Sequence, residues 1–244
     1  MSRHLVCTDL HGRYDLWERI AADLQPDDEL FFLGDAIDRG PDGIKIIQSM
    51  MNDSRVTFFL GNHKDMMYKA ITGDPNEIVM IDSYEYTRDD VCYLWLRNHG
   101  SPTLEAFQGL TLSEKTDILD YLKYSVNDAV YPRSDGKRFI LNHAGFTPGY
   151  ESKTPDEQLW DRTHFAHPWS NNREDTVIVH GHTPIPYVIM ALKDFGLEVS
   201  ADWDEASPLI YSGGHKICLD CMSFFTNNVV VYNLDDDTYQ SYTV

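Results

Sequence analysis

The sequence predicts an α/β fold, because short apolar runs and amphipathic segments alternate along its first 75 residues. The apolar runs at 4–8, 29–34 and 55–61 have the composition of buried strands, and a turn or loop follows each of them. Strands that alternate with helices in this way are typical of a parallel sheet with right-handed crossover connections. We therefore expect three parallel strands in the N-terminal part of the chain.

The segments between and after these strands are predicted to be helices. They lie at 14–24, 40–51 and 63–73. Leu16, Ile20 and Leu24 are spaced so that they share one face of the first helix. Gly73 is expected to end the third helix, because glycine is common directly after a helix C-terminus.

From about residue 75 to 130 the pattern changes, and we expect a helical insert packed beside the sheet. The predicted helices of this insert are 88–100 and 112–126. Thr111 and Ser113 are the candidates for the N-cap of the second of these helices.

The second half of the chain is predicted to be mostly strand, with antiparallel pairing near its end. The predicted strands lie at 138–142, 176–181, 215–221, 228–234 and 238–244. The polar stretch 196–215 is either a surface loop or a lid over a site, and we favour the surface loop. Because the chain has no internal repeat and no low-complexity linker, residues 1–244 are expected to form a single domain.

Composition excludes several classes of function. The formal net charge of −19, with no basic segment, is unsuited to stable binding of nucleic acid. No apolar run is long enough to span a membrane and the N-terminus lacks a signal-peptide core, so we expect a cytoplasmic protein. Cys218 and Cys221 have CxxC spacing, but without a second pair they indicate a buried strand rather than a zinc site.

Five polar motifs each follow a predicted strand directly. They are Asp9-Leu10-His11-Gly12, the stretch GDAIDRG at 34–40, Gly61-Asn62-His63, His143-Ala144-Gly145 and His180-Gly181-His182. Loops at the carboxyl ends of parallel strands converge on one edge of a sheet, so the motifs are expected to meet there. A lone histidine is more often structural than ligating, and five others are interpreted in that way: His4, His99, His164, His167 and His215.

The side chains of these motifs provide oxygen and imidazole donors and no thiolate. That set suits manganese, iron or zinc with positions left open for water and substrate. Six protein donors, one of them a shared carboxylate, are enough for two ions about 3.5–4 Å apart, which can bind a phosphoryl group and activate a water between them. The sequence therefore predicts a centre of two divalent ions, with manganese preferred.

The five motifs resemble those of the calcineurin-like metallophosphoesterases. More narrowly they resemble the phosphoprotein phosphatase (serine/threonine phosphatase) branch and its bacterial and phage members. The DRG that ends the second motif carries the narrower likeness, together with the helical stretch WLRNHGSPTLEAF. The likeness extends from Asp9 to Asp220 and implies an α/β/β/α fold, in which a β-sandwich of mixed sheets is flanked by helices.

The resemblance also implies a role for each motif residue. The implied metal ligands are Asp9 and His11 for the first ion, Asp35 as a bridge, and Asn62, His143 and His182 for the second. His180 lies two residues before His182 and could face the same way, but His182 is preferred because the family's ligand directly follows a glycine.

The same likeness implies which residues carry out catalysis. His63 would be the general acid near the leaving oxygen, and Asp38 would hold it in orientation. Arg39 would bind the phosphate oxygens through its planar guanidinium, and Arg162 is the candidate for a second arginine. A hydroxide that bridges the two metals would attack phosphorus directly, without a phosphoenzyme.

Three positions depart from the family's pattern. Thr8 stands where many members have glycine, and Lys64 stands where an acid usually follows the histidine of the third motif. The residues around Asp220 lack the usual Thr-Gly. No predicted ligand is lost through these changes.

The resemblance leaves the substrate open between a phosphorylated protein and a nucleotide. The first choice is a phosphomonoester on serine or threonine of a protein. The alternative is a dinucleoside polyphosphate such as diadenosine tetraphosphate, whose bases would need apolar walls, for which Trp95, Tyr150 and Trp203 are candidates. A catalytically silent phosphate-binding or scaffold protein is a further alternative, and the completeness of the motif set disfavours it.

Overall fold

The computed structural model describes residues 2–82, 84–145, 158–166, 174–197 and 203–244. Two five-stranded sheets, each with parallel and antiparallel pairs, form the centre of this part of the chain. Helices pack against them, which confirms the predicted α/β class with mixed sheets and flanking helices.

The first sheet combines strands from both ends of the chain. Its spatial order is β12 (Tyr239–Thr243), β11 (Asn228–Asn233), β1 (His4–Cys7), β2 (Glu29–Phe32) and β3 (Val56–Phe58). The strands β1, β2 and β3 run parallel, whereas β11 is antiparallel to both β1 and β12. The predictions of three parallel N-terminal strands and of antiparallel pairing near the C-terminus are confirmed.

The second sheet is built from the second half of the chain. Its spatial order is β6 (Asp128–Pro132), β7 (Arg138–Asn142), β8 (Thr176–His180), β10 (Lys216–Cys218) and β9 (Leu209–Tyr211). The three central strands are parallel, and the two edge strands are antiparallel to their neighbours. The expectation of a plain surface loop at 196–215 is wrong for β9, because this strand pairs with β10; residues 198–202 of that stretch lie outside the described residues.

Alternation along the strands divides the apolar residues between two cores. Leu5 and Cys7 of β1 belong to a core shared with the helices, whereas Val6 belongs to a core that also contains Val177 and Val179 of the second sheet. Successive side chains of a strand point to opposite faces, so one strand contributes to both cores. The second core therefore lies between the two sheets and holds the sandwich together.

Three helices connect the parallel strands of the first sheet. They are α1 (Tyr14–Asp23), α2 (Gly43–Met51) and α3 (Asn62–Thr72). Leu16 and Ile20 of α1 are buried as predicted, and Leu24 is buried directly after the helix ends. Gly73 directly follows α3, as expected.

The region after α3 contains a hairpin followed by three helices. Its elements are β4 (Val79–Ile81), β5 (Tyr84–Tyr86), α4 (Arg88–Arg97), α5 (Ser101–Gln108) and α6 (Leu112–Lys123). The hairpin was not predicted, and β6 begins inside the range 75–130 expected for a helical insert. Of the two candidate caps for α6, Thr111 is the one used, since its hydroxyl accepts the N–H of Glu114 at 3.3 Å.

A helix occurs where the second half of the chain was expected to be mostly strand. It is α7 (Ile185–Asp194), and a short turn of helix, α8 (Ser223–Thr226), lies nearer the C-terminus. Ile185, Val188 and Leu192 are buried in the second core with the i, i+3, i+7 spacing of a helix. No helix in the described residues is long and apolar enough to cross a bilayer.

Candidate active site

Six loops meet at one edge of the sandwich, because each follows the carboxyl end of a parallel strand. They follow β1, β2, β3, β7, β8 and β10, and five of them carry the motifs found in the sequence. Backbone hydrogen bonds join the loops to one another. The N–H of His11 donates to the carbonyl of Asp35 at 3.0 Å, and the N–H of Gly181 donates to the carbonyl of His143 at 2.8 Å.

Backbone strain is concentrated at this edge. Twelve non-glycine residues of the described chain have a positive φ. Six of them are residues that the motifs single out: Asp9, His11, Asp35, Asp38, Arg39 and His182. Such conformations cost roughly 1–3 kcal/mol each and occur mainly where function requires them. The loops are therefore held in shapes that backbone preference alone would not select.

Four of the six expected metal ligands, together with His63, the expected general acid, form two overlapping clusters around Asp35. His11, Asp35 and His63 offer ligand atoms within 4.8 Å of one another, and so do Asp35, His143 and His182. Oδ2 of Asp35 lies 3.4 Å from Nε2 of His143. The same oxygen lies 3.9 Å from Nε2 of His11 and 3.9 Å from Nε2 of His63. Asp35 is thus shared by both clusters.

The two remaining predicted ligands lie against these clusters. Oδ1 of Asn62 is 3.0 Å from Nε2 of His143 and 3.0 Å from Nδ1 of His182. Oδ1 of Asp9 is 3.7 Å from Nε2 of His11. The structure thus brings all six predicted ligands together, although they come from five separate loops.

Backbone carbonyls fix the ring orientation of two of the histidines. Nδ1 of His11 donates to the carbonyl of Ile37 at 3.0 Å, and Nδ1 of His143 donates to the carbonyl of Leu33 at 2.7 Å. With the proton on Nδ1, a neutral imidazole turns the lone pair of Nε2 toward the cluster. A hydrogen bond of this kind is the usual support for a metal-binding histidine.

Two buried polar atoms of the site fit a bound cation. Within the described part of the chain, Oδ1 of Asp9 and Nε2 of His182 are buried and have no hydrogen-bond partner. Burying such atoms is costly unless something satisfies them. A carboxylate and a neutral imidazole are donors that divalent transition metals accept, so these residues fit a metal centre.

Electrostatics at the centre also favours a positive charge there. Burial raises the pKa of Asp9 to about 6, and the nearby charge of Asp35 adds to that rise. Burial acts in the same direction on Asp35, but the charges of His143 and His63 outweigh it and hold the pKa of Asp35 well below its usual value. Burial would lower the pKa of His143, yet the carboxylates of Asp35 and Asp9 raise it to about 9.

Two other histidines are held in the neutral form. Burial, reinforced by the charge of Arg39, lowers the pKa of His11 well below its usual value. Burial and the charge of Arg162 do the same for the pKa of His182. Since only a neutral imidazole can bind a metal, both residues are in the protonation state that a ligand requires.

Two glycines leave room for the carboxylates. A Cβ atom on Gly61 would lie 2.2 Å from Oδ1 of Asp35, and one on Gly181 would lie 2.1 Å from Oδ2 of Asp9. No side chain can be accommodated at such distances without moving the carboxylate. The hydroxyl of Thr8 donates to the same Oδ2 of Asp9 at 2.6 Å, so this departure from the family's glycine adds a hydrogen bond to a predicted ligand.

His63 and Asp38 form a buried pair beside the cluster. Nδ1 of His63 donates to Oδ2 of Asp38 at 2.6 Å, and the indole N–H of Trp95 donates to the same oxygen at 2.9 Å. The backbone N–H of Asp38 bonds to the hydroxyl of Thr103 at 2.9 Å. Helices α4 and α5 therefore hold Asp38, and Asp38 in turn orients the imidazole of His63.

A cleft of about 550 Å³ opens beside the cluster. Arg39, Arg162 and His182 line the part of the cleft next to the cluster, which we call its inner part, so both arginines chosen from the sequence reach it. Its outer part is lined by residues of the α4–α5 connection, of α7 and of α8: Arg97, Asn98, His99, Pro184, Tyr187, Met222, Phe224 and Phe225. One cleft thus combines guanidinium groups with aromatic side chains.

None of the aromatic candidates for a base-binding wall is shown to form one. Trp95 is buried against Asp38, and the indole of Trp203 donates to the carbonyl of Ser207 at 2.9 Å while packing on the second core. Tyr150 lies outside the described residues. The side chains found in the cleft are instead Tyr187, Phe224 and Phe225.

His180 is directed away from the cluster. Its Nε2 lies 2.8 Å from the hydroxyl of Tyr211, and burial lowers its pKa to about 3.

Lys64 is also buried, with Nζ 5.0 Å from the centre of the Tyr68 ring and its pKa lowered to about 8 by burial. Both thiols of the CxxC pair are buried. Cys218 is the last residue of β10, as predicted, whereas Cys221 lies beyond the end of that strand.

Asp220 is a buried acid of the site that the sequence analysis did not assign. It follows β10, its Oδ1 accepts the N–H of Met222 at 2.9 Å, and burial with the charge of Asp9 raises its pKa well above the usual value. The predicted strand 215–221 contains Asp220, whereas the observed strand ends at Cys218 and leaves Asp220 in the loop. The sequence therefore carried no signal for it, nor for the cleft residues of α7 and α8.

Comparisons with known proteins agree with this geometry. The sequence pattern of the calcineurin-like phosphoesterases matches residues 2–219. An asymmetrical bis(5′-nucleosyl)-tetraphosphatase (PrpE) of Anoxybacillus flavithermus (strain DSM 21510 / WK1) is 26% identical over 176 residues. That alignment covers 64% of each protein, so the chain spans slightly less than two thirds of this relative.

A second relative acts on another kind of substrate. Serine/threonine-protein phosphatase 2 of Escherichia coli (strain K12) is 30% identical over 156 residues, which cover 61% of each protein. Among solved structures, a proposed diadenosine tetraphosphatase superposes with a TM-score of 0.59 at 16% identity, over 98% of this chain and 92% of the other. At that identity the superposition concerns the fold alone.

Proposed function

The chain belongs to the calcineurin-like phosphoesterase family, and from that membership and the geometry of its cleft we propose that it hydrolyses nucleoside polyphosphates. As a metallophosphoesterase it acts on phosphoester bonds with divalent metal ions.

We propose a centre of two ions, with manganese as the preferred metal, in a cytoplasmic enzyme. Asp9 and His11 would hold one ion, Asp35 would be shared, and the second would be held by Asn62, His143 and His182. Two observations support this assignment. Oδ1 of Asp9 and Nε2 of His182 have no hydrogen-bond partner among the described residues, and Asp35 lies between two clusters. Divalent ions bound there would supply Lewis acidity, which neutralises phosphate charge and lowers the pKa of water.

The protein's own groups would position the substrate and handle the proton. His63, oriented by Asp38, would protonate the leaving oxygen through Nε2, because its Nδ1 is engaged with the carboxylate. Arg39 and Arg162 would bind the oxygens of the phosphoryl group from the inner part of the cleft, each through a planar fork of N–H donors.

The observation that carries the choice of substrate is the composition of the cleft. Tyr187 is 53% exposed and Phe225 is 65% exposed, and both line the same cleft as Arg39 and Arg162. Exposed aromatic rings beside phosphate-binding arginines suit a base attached to a phosphate chain, since every base can stack on an aromatic face. The resemblance to the A. flavithermus tetraphosphatase supports the same choice.

The second candidate is the phosphoserine or phosphothreonine of a protein, which was the first choice from the sequence. It is supported by the relative in E. coli and by a cleft that is open enough to leave its aromatic rings half exposed. The two candidates differ in what the aromatic rings contribute, because a phosphopeptide has no base to stack on them.

Phe225→Ala is therefore expected to lower kcat/KM for diadenosine tetraphosphate by about tenfold, since base stacking on an aromatic ring is worth roughly 1–3 kcal/mol. With nitrophenyl phosphate, which does not extend along the cleft, kcat/KM should change by less than about twofold. Steady-state kinetics with manganese measures both substrates, with a phosphothreonine peptide as the third.

Phe195→Ala is the matched control. Phe195 is 64% exposed, directly follows the far end of α7 and does not line the cleft. This variant should behave as the unmodified protein with every substrate. Rapid hydrolysis of the phosphopeptide, with no turnover of the dinucleotide, would reject the nucleotide proposal in favour of the second candidate.

A further inference from the structure

A third arginine lines the cleft beyond the two that would bind the phosphoryl group. Arg97 is the last residue of α4 and is exposed. It has no ion pair with any residue that the structure describes, although the chain carries 39 acidic residues. Arg88, at the start of the same helix, instead lies 3.5 Å from Asp89.

The structure fixes which side of the site Arg97 occupies. Two residues before it, Trp95 donates to Asp38, and two residues after it, the carbonyl of His99 accepts the N–H of Arg39 at 3.0 Å. Asp38 also holds His63. The end of α4 is thus attached to the loop of Asp38 and Arg39, and Asp38 in turn orients the proton donor. Arg97 therefore lies on the side on which a leaving group would depart.

A charged group on that side has a use only with certain leaving groups. In the hydrolysis, a bond forms between phosphorus and a water oxygen, and the bond from phosphorus to the leaving oxygen breaks. The leaving oxygen takes the proton of His63. When the substrate is a phosphoserine peptide, the leaving group is an uncharged alcohol, and a guanidinium there has no anion to bind. When the substrate is a nucleoside polyphosphate, the leaving group is itself a chain of phosphates.

We propose that Arg97 is a specificity-determining residue that binds the phosphate chain of the leaving group, an inference that rests on the proposed function. Arg39 and Arg162 bind the phosphoryl group that is transferred to water. Arg97 binds the adjoining phosphates, and its planar fork suits their oxygens. The length of phosphate chain that the enzyme prefers then depends on the distance between the end of α4 and the inner cleft.

The kinetic test compares Arg97→Ala, Arg97→Lys and the matched control Arg88→Ala. Arg97→Ala should raise KM for diadenosine tetraphosphate by about tenfold or more, because a hydrogen bond to a charged group is stronger than a neutral one. Its kinetics with nitrophenyl phosphate, whose leaving group bears no phosphate, should stay within about twofold. Arg97→Lys should restore part of the loss, and Arg88→Ala should change neither substrate.

A binding measurement separates this inference from the proposed function. Calorimetry of the manganese-loaded protein with inorganic tripolyphosphate, at a fixed excess of free manganese, should show weaker binding for Arg97→Ala by a similar factor. Binding of inorganic phosphate should be unchanged. If the unmodified protein fails to cleave the dinucleotide, the proposed function is wrong, and the tripolyphosphate measurement still decides the role of Arg97.

Three results would overturn the inference. In the first, Arg97→Ala and Arg88→Ala have equal effects, as expected for a loss of general surface charge. In the second, Arg97→Ala lowers activity on nitrophenyl phosphate as much as on the dinucleotide, as expected for damage to the loop of Asp38 and Arg39. In the third, the affinity for tripolyphosphate is unchanged.

Discussion

Replacing His63 by asparagine is expected to lower kcat by about 10²- to 10⁴-fold on esters with poor leaving groups, the usual contribution of a general acid. The reason is that Nδ1 of His63 is bonded to Asp38, which leaves Nε2 as the proton donor. On nitrophenyl phosphate, whose leaving oxygen needs no proton, the loss should be much smaller. Steady-state kinetics on an ester with a poor leaving group and on nitrophenyl phosphate, together with elemental analysis of the bound metal, measure the effect.

The metal content must be measured because a ring nitrogen of His63 lies within 4.8 Å of ligand atoms of His11 and Asp35, close enough for the three residues to bind one ion. If His63→Asn loses a metal ion and activity falls equally on both substrates, His63 is a ligand rather than the acid. His215→Asn is the control, because His215 lies in the turn directly before β10, where its Nδ1 is 3.0 Å from the carbonyl of Thr176, and it should keep full activity.

Replacing His182 by glutamine should remove one of the two ions and reduce activity by more than about 100-fold. Loss of a residue that merely supports a ligand already costs about 10- to 100-fold in metal affinity or activity. His180→Gln is a closely matched control, because His180 is also a buried histidine and lies only two residues away. It should keep its metal content, since Nε2 of His180 bonds to the hydroxyl of Tyr211 instead.

The two variants should also differ in stability. His180→Gln leaves the buried hydroxyl of Tyr211 without its present partner, which costs roughly 1–3 kcal/mol of the free energy of unfolding. His182→Gln should cost less in the metal-free protein, because Nε2 of His182 has no partner there among the described residues. Equal metal loss in both variants would contradict the assignment of His182 as the ligand.

The ligand set could be predicted because each ligand lies shortly after the carboxyl end of a parallel strand. A residue that directly follows a parallel strand must lie at the same sheet edge as its counterparts, whatever the side chains elsewhere do. This rule gathers Asp9, Asp35 and Asn62 at one edge of the first sheet, and His143 and His182 at one edge of the second. The packing of the two sheets on each other then brings the two sets together. The rule also applies to Asp220 in the structure, but the predicted strand 215–221 extended past this residue, whereas β10 ends at Cys218.

Short elements were less predictable, because periodicity needs several turns or alternations to appear. The strands β4, β5 and β9 have three residues each, too few for a pattern on their own. The strands β3 and β10 are equally short, but they were predicted within the longer segments 55–61 and 215–221. Helix α7 does have a helical pattern at Ile185, Val188 and Leu192, but its branched and aromatic residues also favour strands. Tertiary packing on the second core decides between the two structures.

The walls of the cleft could not be predicted from the sequence. Arg97, Tyr187 and Phe225 come from three helices that are distant in the chain, and each is an ordinary exposed residue of its own helix. Nothing local distinguishes Phe225 from Phe195, which is equally exposed and lies elsewhere. Only the assembled sandwich places the three side chains around one cleft.

The most direct test is anomalous scattering at the manganese edge from crystals fully loaded with manganese. The account predicts two peaks about 3.5–4 Å apart, on either side of Asp35, one beside Asp9 and His11 and the other beside Asn62, His143 and His182. The absence of any peak enclosed by Asp9, Asp35 and His143 at full loading would contradict it.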